Sequence, residues 1–442
     1  MSAACLERAR SSCALHGALA TLHAIEGVVP VIHATAGCGV QYQRGVTPYG
    51  GAVPQGASRG APLSSSNIHE KHVVFGGGSR LREQLKNTVK VVRGDLYAIV
   101  TSCATEMVGD DVPAMAKEGR EQGFPVIYAN TPGFRGSVHT GYELAVRALL
   151  EQLPLLPGPV LAPQADRVNI WGIIPQQDVF WQGHLLQLEA ILAELGLVAN
   201  RLLGEEQGIE AWRRAPQASL NLVVSPWGRA AAHALREKYD TPVLEISGIP
   251  VGPKATGQLL EQLTQVLELD PELLDAVRKK HEAQFVRTLQ GLVTHYFAAG
   301  LQRSFAIVGD FNLVYGVTEF LTGTLGLVPR LAVITDPLPE DQRAEIAAPL
   351  QQLLDPFAGT LAFLEDASAI NALLKSTPVE LIIGSTLERE VAGVLNVPLL
   401  SIHFPVADRL ILHRGYAGLD GGLALLEDLG SAILAKQGGL FV

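Results

Sequence analysis

The stretch LYAIVTSCATEMVGDDVPAMAKEGREQ (Leu96–Gln122) decides the fold. Leu96–Thr101 is an unbroken run of aliphatic, aromatic and β-branched residues. It gives way at Ser102–Cys103 to an acidic turn, Glu106–Asp111, and then to a helical pattern over Asp111–Gln122. A continuously apolar strand feeding a helix is what a parallel sheet covered on both faces requires. The unit recurs along the chain. Further strands are expected at Pro125–Asn130, Val168–Ile174, Leu220–Val224, Pro242–Ile246, Ser304–Gly309, Leu331–Thr335, Leu381–Gly384 and Pro398–Ile402. Helices are expected between them, among them Gly141–Leu153, Leu185–Leu195, Ala230–Tyr239, Ala255–Thr264 and Pro271–Ala298. The fold class that follows is α/β, with parallel sheets flanked by helices.

Two joints divide this series. LPLLPGPVLAPQAD (Leu153–Asp166) is proline-rich and aperiodic, so it reads as a linker. The long helix ending near Gly300 precedes a fresh strand at Ser304. Three Rossmann-like units are therefore expected, near 1–160, 161–300 and 301–442, the first carrying the cysteines. At 442 residues, 48% hydrophobic and 18% charged, the chain can bury cores of that size without disulfide staples. A formal charge of −10 argues against a general nucleic-acid or anionic-membrane partner. MSAACLERARSS is not followed by the apolar core of a signal peptide, and no window approaches the ~18 uninterrupted apolar residues of a membrane span. The expected compartment is a reducing cytoplasm.

All four cysteines lie in the first quarter: Cys5, Cys13, Cys38 and Cys103. Cys5 sits in a polar tail and reads as a bystander. Cys13 opens a helical pattern, where the helix dipole is expected to lower a thiol's pKa. Cys38 lies in HATAGCGV, read as a glycine-flanked turn whose backbone N–H groups can approach sulfur closely. Cys103 ends a strand, and the carboxyl ends of parallel strands are where α/β sheets place ligands. Taken singly, each thiol reads as inert. Together they point to a soft-metal or iron–sulfur site, with a spacing that fits no zinc finger. VVFGGGSRL (Val73–Leu81) offers a phosphate cradle or simply a tight turn, and matches no nucleotide fingerprint. His33, His69 and His72 read as ligands, proton carriers or plain hydrogen-bonding groups. Asp110–Asp111 reads as a helix cap, and Tyr42–Ser66 as a loop, flexible or wrapped near the site.

HATAGC (33–38), SSNIHEKHVVFGG (65–77), TSCATEMVGDD (101–111) and NTPGFRGSVHTGY (130–142) stand in the order and at roughly the spacing found in nitrogenase component 1 subunits. HFPVADRLILHRGYAGLDGG (403–422) resembles the end of the same family, so the likeness spans the chain. The resemblance implies three Rossmann-like domains per subunit. It also implies an α2β2 heterotetramer with a homologous α-type subunit, fed by an ATP-dependent iron-protein dimer. Cys13, Cys38 and Cys103 align with the three cysteines that hold half of a bridging iron–sulfur cluster of the [8Fe-7S] P-cluster type, a [4Fe-4S] cluster being the simpler alternative.

Departures from the family pattern refine this. Ala232 and Ala417 fall where the resemblance places the cysteine and histidine that hold the catalytic cofactor in α-type subunits. The chain therefore resembles a β-type subunit with no catalytic residue of its own, inactive alone, with the catalytic iron–sulfur cofactor in the partner. Gly133 stands where some β-subunits carry a serine ligand. SSNIHEKHVVFGG resembles the methylthio-alkane reductase group, which implies reductive C–S bond cleavage. The alternatives are a dinitrogen-reducing nitrogenase, a non-catalytic scaffold for cofactor assembly, a tetrapyrrole reductase subunit and an ordinary nucleotide-dependent Rossmann enzyme.

Overall fold

A computed structural model describes residues 10–53, 63–158, 161–162, 164–298 and 300–438; Cys5 lies outside them. Three parallel sheets carry the chain. The first orders its strands Ser64–Ser65, Val28–His33, Leu96–Thr101, Val126–Ala129. The second orders Val243–Glu245, Ala218–Val223, Gln164–Trp171, Val198–Asn200. The third orders Thr360–Phe363, Val328–Ile334, Ser304–Gly309, Leu381–Gly384, Leu399–Ser401. A short parallel pair, Ile25–Glu26 with Gly204–Gly208, ties the region of the first sheet to that of the second. Central strands are buried along their whole length, as the continuous apolar runs require. Leu96–Thr101, Ser304–Gly309 and Leu381–Gly384 begin and end where the sequence puts them. The helix Pro271–Ala298 does so too.

Three expectations change. Cys38 is not in a turn: Ala36–Gly45 is helical, and Cys38 is its third residue. The flanking glycines lower helix propensity without forbidding the helix, because packing of Tyr42 into the core decides the outcome. This helix and the turn Thr47–Tyr49 also replace the front of the loop expected over Tyr42–Ser66, while residues 54–62 lie outside those described. Cys103 does not end its strand but begins the helix Cys103–Val108. The sequence reading also overlooks the strands Val198–Asn200 and Thr360–Phe363, both short edges of their sheets.

The contact that positions the first unit is between helices Ala14–His23 and Val138–Gln152. They meet backbone to backbone, and two glycines permit it. A Cβ on Gly17 would lie 2.0 Å from the Val138 carbonyl oxygen, and one on Gly141 would lie 2.0 Å from that of Ala14. Backbone bonds seal the seam: Ala14 N–H donates to Gly136 O at 2.9 Å, and Val138 N–H to Ser12 O at 2.8 Å. Gly17→Ala and Gly141→Ala are each expected to cost about 1–3 kcal/mol through overpacking, read from the midpoint of denaturant unfolding. Gly257→Ala, mid-helix with open space where the Cβ would go, is expected to be neutral or to stabilise by about 0.5–1 kcal/mol. Equal effects at all three positions would refute the close-contact account.

Candidate functional site

The three described thiols gather at the carboxyl edge of the first sheet. Cys13 immediately precedes its helix, Cys38 follows Val28–His33 by one short link, and Cys103 follows Leu96–Thr101. All three are free: Cys13 and Cys38 are half-buried and Cys103 is exposed. Gly133 is the residue between Cys13 and Cys103. A Cβ there would lie 3.2 Å from Cys103 Sγ, 3.5 Å from Cys13 Sγ and 3.1 Å from Cys13 Cβ. The missing side chain leaves room for both sulfurs, and the Gly133 N–H donates to Cys103 Sγ at 3.1 Å. Such N–H···S bonds tune metal-bound thiolates.

Cys13 differs electrostatically from the helix-start expectation. Burial pushes its thiol pKa up, and the charges of Cys103 and Cys38 push the same way. Backbone N–H groups of His16 and Leu15 lower it only in part. Desolvation therefore outweighs the helix end, and the proton leaves readily only when a cation replaces it. The same interactions couple Cys13 to both other thiols. Among the described residues no three His, Cys, Asp or Glu side chains are placed to hold a single metal ion. The set thus differs from a closed mononuclear site, and its donor chemistry suits a cluster presenting several iron atoms.

His16 is the residue the sequence reading missed. One turn after Cys13, it bonds Ser12 Oγ through Nδ1 and lies 3.1 Å from the Cys38 carbonyl through Nε2. It therefore fastens the Cys13 helix to the Cys38 helix. Its position three residues after a helix-start cysteine was the available signal.

The other candidates resolve into structural roles. His33 is committed at both nitrogens, to Ser66 Oγ and to Asp110 Oδ2, each at 2.9 Å. Asp110 also accepts the Gly77 N–H at 2.7 Å, so a carboxylate of the chain already fills the anion position that the glycine run offered. Asp111, not Asp110, caps the following helix, accepting from Ala114 N at 3.0 Å. His69 and His72 face each other, Nδ1 to Nδ1, at 2.8 Å. The segments that carry the thiols and their neighbours expose several large apolar side chains among polar ones: Val40, Val73, Val74, Phe75, Met107 and Phe134, with Phe75 at 86%. Helix Glu70–Phe75 packs against the Cys103 helix, which brings the segment of Val73, Val74 and Phe75 next to that of Met107.

A second centre lies where the sheets' carboxyl ends converge. Asp310 accepts from His139 Nε2 and Gln177 Nε2, each at 2.9 Å, and from Thr335 Oγ1 at 3.1 Å. Asp336 accepts from Trp227 Nε1 at 3.0 Å and Phe311 N at 2.9 Å. These bonds join segments following strands of all three sheets. The cavity they leave, bounded also by Ser225 and His403, is about 20 Å³. That is room for about one water. Burial raises the Asp336 carboxyl to about 6, with Asp310 pushing the same way, while burial lowers His403 to about 4. Ala232 and Ala417 are fully buried methyl groups of the core.

Two outcomes follow from these environments. In metal-free protein at mildly alkaline pH, iodoacetamide is expected to label exposed Cys103 before Cys13, read by peptide mass spectrometry. Faster labelling of Cys13 would contradict its raised pKa. His23, buried with Nε2 unpartnered, is lowered by burial to about 4. A histidine with a depressed pKa stabilises the fold above its unfolded value near 6.5, and that stability is lost as pH falls toward 4. Relative to His23→Gln, the native chain should lose about 3 kcal/mol between pH 7 and pH 4. Denaturation at both pH values measures it, and a constant difference would contradict it.

The family profile described as Nitrogenase component 1 type Oxidoreductase matches residues 13–434. The nitrogenase molybdenum-iron protein beta chain of Frankia alni is 29% identical over 456 aligned residues, spanning 96% of this chain and 82% of that one. Its counterpart from Methanococcus maripaludis is 23% identical, spanning 96% and 94%. The solved structure of nitrogenase Cp1 at pH 6.5 superposes with a TM-score of 0.81 at 21% identity, covering 99% of this chain and 95% of that one, a likeness of fold. None of the described helices is long and apolar enough to cross a membrane. With the family profile extending over almost its whole length, the chain belongs to the nitrogenase component 1 type oxidoreductases and is similar to beta chains of the molybdenum-iron protein.

Proposed function

We propose that this chain is a β-type electron-relay subunit of a nitrogenase-like reductase. In this reading Cys13, Cys38 and Cys103 hold half of an iron–sulfur cluster at the interface with a homologous α-type subunit. The observation that carries it is the placement of Cys13 beside both Cys38 and Cys103 at one edge of the first sheet, with exposed apolar side chains next to them in the chain. Half a ligand set at a surface built to be covered is what a shared cluster needs. Six thiolates, three from each subunit, suit the [8Fe-7S] type, with [4Fe-4S] as the simpler alternative. When bound, the cluster supplies one-electron storage and transfer between an ATP-dependent iron protein and a cofactor in the partner. The chain's own residues do the rest: Gly133 N–H donates to Cys103, His16 fixes the spacing of the two helices, and the apolar rim excludes water.

The small volume left at the junction of the sheets supports a relay over a catalytic role. A cavity for about one water has no space for a multinuclear cofactor, and Ala232 and Ala417 bring no ligand atom. The division near 1–160, 161–300 and 301–442 assigns one parallel sheet to each unit, with the cluster half-site in the first. An α2β2 assembly in the cytoplasm, inactive as the isolated chain, completes the proposal.

For the substrate, the resemblance of SSNIHEKHVVFGG to methylthio-alkane reductases favours reductive C–S bond cleavage. The similarity to beta chains of the molybdenum-iron protein favours a second reading, dinitrogen reduction. Anaerobic purification with the partner, followed by iron quantitation and EPR, tests the site. Cys38→Ala and Cys103→Ala should each lower iron content and alter the EPR signal, and unchanged iron and spectra would refute the half-site. Assaying the whole complex on small thioethers and on dinitrogen separates the substrates. Good dinitrogen reduction without thioether cleavage would reject the first reading, and intact complex without turnover would point to an assembly scaffold.

A further inference from the structure

Away from the thiols, helices Val138–Gln152 and Arg229–Tyr239 enclose a surface cleft of about 390 Å³. That falls within the range of small-molecule sites. The cleft exists because the second helix presents Ala230, Ala231 and Ala234 to it, short side chains that cannot fill the space opposite Leu144 and Leu150. Its walls are mostly apolar; the polar exceptions are Thr140, the carboxyl of Glu143 and the Arg147–Glu151 pair.

Glu143 lines this cleft half-buried and makes no hydrogen bond or ion pair with any described residue. Two neighbouring groups are turned elsewhere. His139 uses Nδ1 on Ser137 Oγ and Nε2 on Asp310. Arg147 Nε is bound to Glu151 at 2.7 Å, which pairs those two rim charges and leaves Glu143 without an ion-pair partner among the described residues. Trp227, whose ring also borders the cleft, spends its indole N–H on Asp336 and leans on His139 with centroids 4.7 Å apart. Burial raises the Glu143 carboxyl to about 7, with His139 lowering it only in part. An anion held in a largely apolar cleft beside an indole ring lacks a cationic donor.

We propose that this cleft binds a small organic cation, a protonated primary amine seated against Glu143 and the Trp227 ring with its hydrocarbon body between the alanine face and Leu144–Leu150. The amine supplies the missing hydrogen bond, and the hydrocarbon buries the open apolar walls. The site is independent of the thiols and of the proposed relay role.

Titration calorimetry of the full-length protein, purified with any accompanying subunits, tests it at pH 8 with 2-phenylethylammonium chloride and neutral 2-phenylethanol. Saturable binding of the amine, at least tenfold tighter than the alcohol, is expected. Glu143→Gln should weaken the amine at least tenfold, and Ala234→Leu should abolish saturable binding by filling the cleft. Thermal unfolding and size-exclusion profiles check that both variants retain the fold. Iron content and EPR should be unchanged in both, which separates this site from the half-site. No saturable binding by the unsubstituted protein, equal affinity for amine and alcohol, or undiminished binding by folded Glu143→Gln would overturn the proposal. If Ala234→Leu does not fold, Glu143→Gln alone decides it.

Discussion

The close approach of two helices at Gly17 and Gly141 sets the position of everything around the thiols. With any side chain at either glycine, Ala14–His23 could not lie against Val138–Gln152 at backbone contact. That contact delivers the segment before Cys13 to the Ser137 backbone and brings Gly133 between Cys13 and Cys103. The thiols are thus located by main chain, which has few conformations to lose, and not by flexible side chains. His16 then carries the placement across to Cys38. A local steric fact becomes the geometry of a site drawn from three separate parts of the sequence.

The fold was legible wherever a strand is buried on both faces. Leu96–Thr101, Ser304–Gly309 and Leu381–Gly384 carry uninterrupted apolar runs because each is hydrogen-bonded on both sides within its sheet. Val198–Asn200 and Thr360–Phe363 escaped because edge strands are short and partly exposed, so the pattern is diluted. Cys38 was misplaced in a turn because local glycine content outvoted the core packing of Tyr42, which no local window contains.

The site was legible in part. Three thiols in suggestive settings could be picked out, and the structure gathers them at one edge. Their electrostatics could not be read, since burial depends on the whole fold and here opposes the helix end at Cys13. The polar junction was invisible for a related reason. His139, Gln177, Asp310 and Asp336 become partners only after three sheets assemble, and nothing in their spacing announces it.

That junction also bears on how electrons could cross the protein. Tunnelling rates fall steeply with donor–acceptor distance, so a conduit must hold its length against thermal motion. Hydrogen bonds donated to Asp310 and Asp336 come from segments of all three sheets and tie them around a cavity with space for about one water. Filling this centre with committed polar side chains removes the slack that a ligand-sized void would introduce. In the proposed relay role, the cross-linked junction would act as a ruler, keeping the thiol edge at a fixed separation from whatever the rest of the chain docks against.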